Sequence, residues 1–261
     1  MRKLVALLVA VFSVFTLCFT AGCKKEIKIK EGGTVVVGIT DYKPMDYLDT
    51  DNVWKGFDYE LAQKTFAELG YEVEFKVIDW ETKTISLNAG DIDCIWNGMT
   101  VTDELKENLK LSDVYLKNQQ YGLVKVKNKD KYTNKDSLVG AKVAVEGGSA
   151  AEGVVEGIEL AELNKQSNQN AAVLEVASGA SDVAIVDYTL AKTITAEGTD
   201  YAGKLVMVDL GFAPEEFAIG FRKSDADVCA KVNEQIAKFR EDNTINSLAE
   251  KYGITNLLVT D

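Results

Sequence analysis

The chain reads as an α/β protein of two lobes built on mainly parallel sheets. Three observations predict this. Apolar, β-branched runs alternate with segments of helical period, the pattern of parallel strands joined by crossover helices. The alternation occurs twice, once on each side of a polar stretch near residues 115–119. Of the 261 residues, roughly 230 follow an apolar leader, more than one small sheet needs.

The first unit opens with Thr34–Ile39, a β-branched strand. Phe57, Leu61, Phe66 and Leu69 recur at helical spacing, so Phe57–Leu69 is a helix with Gly70 as its stop. Glu72–Ile78 alternates and puts Val73, Phe75 and Val77 on one face. Glu81–Asn88 is a short helix ended by Ala89-Gly90, and Ile92–Trp96 is a buried strand. In such βαβαβ sheets ligands bind beyond the carboxyl ends of the strands.

The second unit begins with the strand Lys142–Val145, which enters Glu146-Gly147-Gly148-Ser149. There Ser149 and Glu152 have the capping-box spacing. Ala171–Ala177 and Tyr188–Ala196 read as helices, and Asp182–Val186, Leu205–Val208 and Phe217–Phe221 as strands. Ala226–Arg240 is amphipathic through Val228, Val232, Ile236 and Phe239, and Ile245–Tyr252 is a shorter helix. Pro44 and Pro214 fall in predicted loops. Polar segments at Tyr115–Gln119 and Glu215–Phe217 read as two crossings between lobes. The expected division is 33–116 with 217–261 in lobe 1 and 117–216 in lobe 2. Two crossings make a hinge, and a hinged cleft encloses a small ligand.

Met1-Arg2-Lys3 followed by the apolar run Leu4–Phe19 predicts a signal peptide over residues 1–22. The run is shorter than the roughly 20 residues of a membrane-spanning helix. Thr20-Ala21-Gly22-Cys23 resembles a bacterial lipoprotein cleavage site, with threonine where leucine is usual. Lipidation at Cys23 is therefore expected, anchoring the chain on the extracytoplasmic face of the cell membrane. The alternative is an ordinary secretory signal with an incidental cysteine. Residues 23–32, rich in lysine and glutamate, read as a solvated tether.

Net charge is −12, and losing Arg2 and Lys3 with the leader leaves 27 basic residues against 41 acidic, or −14. That acidity argues against nucleic-acid binding, which requires cations on phosphates. Histidine is absent. This removes Ser–His–Asp and Cys–His catalysis and the commonest transition-metal ligand. Cys94 and Cys229 fall in a core strand and a late helix, where buried free thiols are the expectation over a disulfide. The cysteines have no metal-ligand spacing, and neither a metal nor a cofactor is expected.

One segment concentrates the functional signal. Asp91–Trp96 runs as a strand into Asn97-Gly98-Met99-Thr100, and Thr102 then opens a helix with Asp103 and Glu104 in its first turn. Amides and hydroxyls at such a helix start suit a small anion. Gly56-Phe57-Asp58-Tyr59-Glu60-Leu61-Ala62 is similar to the signature of the family 3 solute-binding proteins of bacterial ABC importers, apart from Tyr59 at an aliphatic position. The resemblance covers nearly the whole mature chain. It implies a type II periplasmic-binding-protein-like fold and a monomer that captures an amino acid or related amine and hands it to an ABC permease. Residue by residue, it implies ligand contact at Tyr42 and Trp80 through their rings, and at Asn97, Gly98 and Thr100. It further implies Ser149 and Ala150 closing from lobe 2, and Asp187 receiving the amino group.

Each assignment has a plainer competitor. Asp187 follows an apolar strand and could simply cap the helix from Tyr188. Aromatic residues most often pack in cores, and Trp54 and Trp96 are assigned there. Thr100 could be a satisfied strand-end hydroxyl. The departure that matters is Leu105, which stands where the family has the arginine that grips the ligand's carboxylate with two parallel hydrogen bonds. Lys106 points about 100° away and is a poor substitute. Three explanations stay open: a ligand without an α-carboxylate, another donor such as Asn97 or a lysine elsewhere, or a decayed site. A sensing module working with a separate signalling partner is the alternative function, and an enzyme on this fold is disfavoured by the missing histidine and arginine.

Overall fold

The computed structural model describes residues 27–259. The leader and Cys23 lie outside them.

The first sheet contains β1 (Thr34–Ile39), β4 (Glu72–Val77), β5 (Cys94–Ile95), β6 (Lys110–Leu111) and β13 (Gly220–Phe221), in the order β4-β1-β5-β13-β6. β1 is parallel to β4 and β5, with Val35 opposite Val73 and Val37 opposite Cys94, while β13 returns antiparallel between β5 and β6. A small hairpin, β2 (Tyr47–Leu48) with β3 (Trp54–Lys55), leads to α1 (Phe57–Glu68). α1 buries Phe57, Leu61 and Phe66 and ends where Gly70 takes φ +78°. A tight turn at Trp80–Thr82 leads into α2 (Lys83–Ala89), and α3 (Asp103–Asn108) starts where Thr102 Oγ1 accepts the Leu105 amide at 3.2 Å. On β4 the expected face is only half realised, because Val73 and Phe75 are half-buried while Val77 is exposed at the sheet's edge.

The second sheet runs β11-β7-β10-β8-β9, from β7 (Leu116–Lys125), β8 (Lys142–Glu146), β9 (Glu162–Gln166), β10 (Val183–Asp187) and β11 (Leu205–Val208). β8, β9 and β10 are parallel, and β7 lies antiparallel to β10 and β11. α4 (Ala150–Val154), α5 (Gln169–Ser178) and α6 (Tyr188–Thr195) connect and cover these strands. α7 (Ala226–Glu241) and α8 (Thr244–Tyr252) pack back on α1 beside the first sheet.

Sequence pattern missed β7 and β9. Both are rich in Lys, Asn and Gln at successive positions, which masks the period of two. It also joined two elements into one: Phe217–Phe221 spans the end of β12 (Pro214–Phe217) and β13. Pro214 therefore opens a strand instead of lying in a loop, an allowed place because its nitrogen needs no partner there. β12 pairs only with β7, with Phe217 opposite Leu116 and Pro214 opposite Gln119. The two chain crossings are thus hydrogen-bonded to each other. The Ser149–Glu152 capping box is also corrected. Ser149 Oγ donates to the Glu146 carbonyl at 2.7 Å, and Glu152 accepts the Gly148 amide at 2.9 Å, one residue early. Cys94 and Cys229 are free, buried thiols.

A buried arginine ties the chain's return to the first sheet. Arg222, 5% exposed, meets Asp93 at 2.6 Å and Asp225 at 2.7 Å, and it donates to the carbonyls of Leu87 and Ile92. Asp225 in turn accepts the Ile29 amide at 2.8 Å, so the chain is already docked there. Arg222→Leu would strand two carboxylates and two carbonyls. It is expected to lower stability by about 3–5 kcal/mol, read as a lower urea midpoint at unchanged slope. A loss below about 1 kcal/mol would show that this network is not structural.

Candidate functional site

The residues singled out in the sequence converge. Tyr42, Trp80, Asn97, Gly98, Thr100, Ser149, Ala150 and Asp187 all line one small cavity of about 20 Å³, drawn from both sheets. It has room for about one water molecule. A groove of about 1500 Å³ opens beside it, walled by Trp80, Lys83, Thr100, Leu105, Ser149 and Glu215 among others.

Strand register explains the cavity's chemistry. Gln120 on β7 lies opposite Asp187 on β10, and Asn118 on β7 lies opposite Glu215 on β12. Alternate residues of a strand share a face, so these four side chains meet on one side of β7. Asp187 Oδ1 accepts from Asn118 at 2.5 Å and Gln120 at 2.7 Å, while Oδ2 accepts from Gln169 at 2.5 Å. The same two amide groups also donate to Glu215 Oε2, at 3.1 and 2.9 Å, and Thr100 donates to it at 3.2 Å. Two carboxylates thus share two donors. Asp187 is followed by α6 but makes no side-chain cap bond, so the carboxylate is turned away from the helix it precedes.

Burial, with Glu215 nearby, pushes Asp187 up to about 7 despite three hydrogen bonds that oppose the shift. Burial also raises Glu215. Glu146, at the end of β8 and 3% exposed, is pushed up to about 8 by burial and then by the Asp187 charge, against the pull of Lys83. Its Oε1 has no hydrogen-bond partner, and neither do Asn118 Oδ1 and Gln120 Oε1. Among the described residues lining the cavity there is no lysine or arginine. The cavity therefore holds buried acceptors without partners and, in its lining, no cationic side chain.

The lobe 1 loop is held rigidly. Asn97 Oδ1 accepts the Thr40 amide at 2.5 Å and hydroxyl at 2.7 Å, and its amino group donates to Asp46 at 2.8 Å. Asp58, from the signature segment, accepts the Gly98 amide at 2.6 Å and the Tyr115 hydroxyl at 2.8 Å. Gly98 takes φ +56°, and a Cβ there would come within 2.7 Å of the Tyr42 ring. Burial pushes Asp58 up to about 7.

The lobes touch around the cavity. The Tyr42 hydroxyl bonds Thr189, and Asn170 donates to the Asp41 carbonyl at 2.9 Å. Lys83, 8% exposed, reaches from α2 to the Gly148 carbonyl at 2.7 Å, and its ammonium lies 4.9 Å from the Trp80 ring centre. Trp80 already carries a protein cation on one face. Gly148 takes φ +68°, and a Cβ there would approach Glu81 Cα to 2.7 Å, so only glycine admits this closeness. Leu105 is buried in one apolar cluster with Trp80, Met99 and Leu109, while Lys106 is spent on Asp103 at the surface.

Sequence reading missed Asn118, Gln120, Gln169, Glu215, Glu146 and Lys83. Asn118, Gln120 and Glu215 are assembled by strand pairing and Gln169 opens α5, and none of the four carries a local signal. Glu146 had one: it ends an apolar strand as Asp187 does.

The chain is similar to known proteins in sequence and in fold. The chain is 28% identical over 227 residues to the L-cystine-binding protein TcyJ of Escherichia coli K12, covering 86% of this chain and 84% of that one. It is 30% identical over 260 residues to the arginine-binding extracellular protein ArtP of Bacillus subtilis, covering 97% and 98%. A histidine-bound ABC uptake transporter substrate-binding protein from Streptococcus pneumoniae superposes with a TM-score of 0.80 at 26% identity, over 87% of this chain and 95% of that one. The ancestral amino acid-binding protein AncCDT-1, a precursor of cyclohexadienyl dehydratase, gives 0.77 at 32% identity, over 84% and 95%. These likenesses share the two-lobed α/β fold. Residues 35–255 match the profile of one family, and the chain belongs to it: the bacterial extracellular solute-binding proteins, family 3.

Proposed function

We propose that the protein captures a small ammonium-bearing ligand between its lobes and delivers it to an ABC permease, from a lipid anchor at Cys23. The observation that carries this is the pair Asp187 and Glu215, sharing donors beside a cavity whose lining includes no cation. Two buried carboxylates close together call for a positive partner. Delivery requires no chemistry, only a ligand that binds the closed form better than the open one. The proteins named above bind cystine, arginine and histidine, all of which carry an amino group. Catalysis is not part of the reading.

The carboxylate half of an amino acid finds less support. Leu105 offers no donor, and packing with Trp80 and Met99 gives it a role of its own. Lys83, Lys106 and Lys117 all line the groove beside Leu105: the Lys83 ammonium is engaged with the Gly148 and Trp80 carbonyls, Lys106 pairs with Asp103, and Lys117 is exposed. Of the three explanations for Leu105, a ligand without an α-carboxylate fits best.

A thermal-shift panel of amino acids, their decarboxylated amines and their amides tests this. A true ligand at about a hundredfold over its Kd should add near 2.7 kcal/mol. Amines are expected to stabilise at least as well as the parent amino acids, and Asp187→Asn to abolish the shift. Amino acids stabilising while amines do not would overturn the carboxylate-free reading, and an Asp187→Asn variant with full affinity would overturn the ammonium site. Leu105→Arg is expected to turn the preference toward amino acids by about tenfold.

The same carboxylates set a pH dependence. Asp187 near 7 and Glu146 near 8, against ordinary values of 3.8 and 4.5, hold more protons folded than unfolded across that window. Their stabilisation of the ligand-free protein is complete at low pH and is lost as pH rises through the folded values. Tm should therefore fall between about pH 5 and about pH 8.5, and Glu146→Gln should flatten the slope. Affinity for a cation should rise over the same range, since the carboxylates must ionise to receive it. A ligand-free Tm that climbs with pH there would contradict both statements.

A further inference from the structure

We infer that Lys83 is a latch between the lobes. It holds the loop 147–149, which follows the second sheet's β8, against the turn Trp80–Thr82 beside the first sheet, so that the cleft closes before any ligand adds contacts of its own. The inference rests on capture between the lobes and is independent of which ligand is captured.

Lys83 opens α2, and its ammonium donates to the carbonyl of Gly148, 65 positions away and across the cleft, at 2.7 Å. A buried ammonium needs fixed acceptors in place of water. Its other acceptor is the Trp80 carbonyl at 3.2 Å, within its own turn, and the Trp80 ring centre lies 4.9 Å away. Only the shorter of the two hydrogen bonds depends on closure. A hydrogen bond to a charged group keeps a net value after exchange with water, so losing this one favours the open form. Burial lowers the Lys83 pKa, and four carboxylates oppose that shift: Glu146 and Glu152 from the lobe of the second sheet, Glu104 and Glu81 from its own. The ammonium therefore also draws the acids of the facing lobe toward it.

The fit of the two backbones is an independent sign of a built contact. A Cβ on Gly148 would come within 2.7 Å of Glu81 Cα, and one on Gly147 within 3.4 Å of the Glu81 carboxylate. Lys165 on β9 spans the same seam at its rim, pairing with Glu152 at 2.7 Å and with Glu81 at 3.5 Å. That bridge is exposed and worth little by itself, which leaves Lys83 as the principal bond of this seam. The remaining bonds between the lobes, Tyr42 to Thr189 and Asn170 to the Asp41 carbonyl, join other segments. Neither Lys83 nor Gly148 lines the small cavity, whereas Ser149 and Ala150, which follow Gly148 directly, both do. Lys83 is thus a positioning residue: it brings two cavity residues into place without touching what the cavity holds.

The latch is tested on the purified, ligand-free protein by pulsed electron spin resonance. Spin labels go on Lys106→Cys and Glu156→Cys, two exposed positions that line the groove from opposite lobes. A single short separation is expected to dominate. Lys83→Met, similar in shape but without the donor or the charge, should raise the ratio of open to closed molecules at least about tenfold while still melting in one cooperative transition. Gly148→Ala should produce the same long separation with Lys83 intact, because its Cβ cannot coexist with the seam. An unchanged distribution in Lys83→Met would overturn the latch even if Gly148→Ala opens the cleft, since packing alone would then hold the loop. A long separation already present before either change would overturn it too. If Lys83→Met does not fold, Gly148→Ala decides, and a short separation retained there sinks the proposal.

Discussion

The pairing of β7 with β12 is the constraint on which the rest depends. A chain that crosses between lobes twice could do so through two independent linkers, and the lobes would then be free to drift. Here the crossings are locked in register, Asn118 against Glu215 and Phe217 against Leu116. β7 then continues into the second sheet, where Gln120 meets Asp187. One strand therefore spans hinge and site. Its alternation delivers Asn118 and Gln120 to the same face and sets them between two carboxylates. Bracing continues into lobe 1, where Val101 donates to the Glu216 carbonyl at 2.8 Å and Ala218 to the Met99 carbonyl at 3.0 Å. The loop from Asn97 to Thr102 is thereby keyed to the hinge.

That arrangement concentrates negative charge where water is scarce. Removing a carboxylate from water is costly unless donors or a cation compensate, and groups left without compensation hold their protons instead. Asp187, Glu146 and Asp58 all follow this rule, with pKa values raised to about 7, 8 and 7. The lobes meet through contacts outside this acidic cluster. Lys83 to the Gly148 carbonyl, Tyr42 to Thr189 and Asn170 to the Asp41 carbonyl are such contacts. On the proposed reading, a cation bound among these carboxylates would offset their burial, and capture requires that it bind the closed form better than the open one.

Leu105 acquires a physical meaning in this setting. An arginine on the same wall would add a permanent charge close to the buried carboxylates and could pair with them when the cleft is empty. Leucine instead extends the apolar cluster of Trp80, Met99 and Leu109.

Much of the protein was legible before any coordinates. Thr34–Ile39 reads as a strand from its β-branched run and the helix from Phe57 from its apolar spacing, and both are present. Tyr42, Trp80, Asn97, Gly98, Thr100, Ser149, Ala150 and Asp187 were named from motif order, and they meet at one cavity. What stayed hidden was everything that depends on which strand lies beside which. β7 reads as a polar stretch since its Lys, Asn and Gln serve two different partners along its length. Asn118, Gln120 and Glu215 gain significance only from cross-strand register, an interaction between residues up to 97 positions apart. Sequence alone determined the family and many of the elements, because these rest on local patterns. Tertiary structure decided that the acids share donors and lack a cation, because charge balance in a cavity belongs to no single segment.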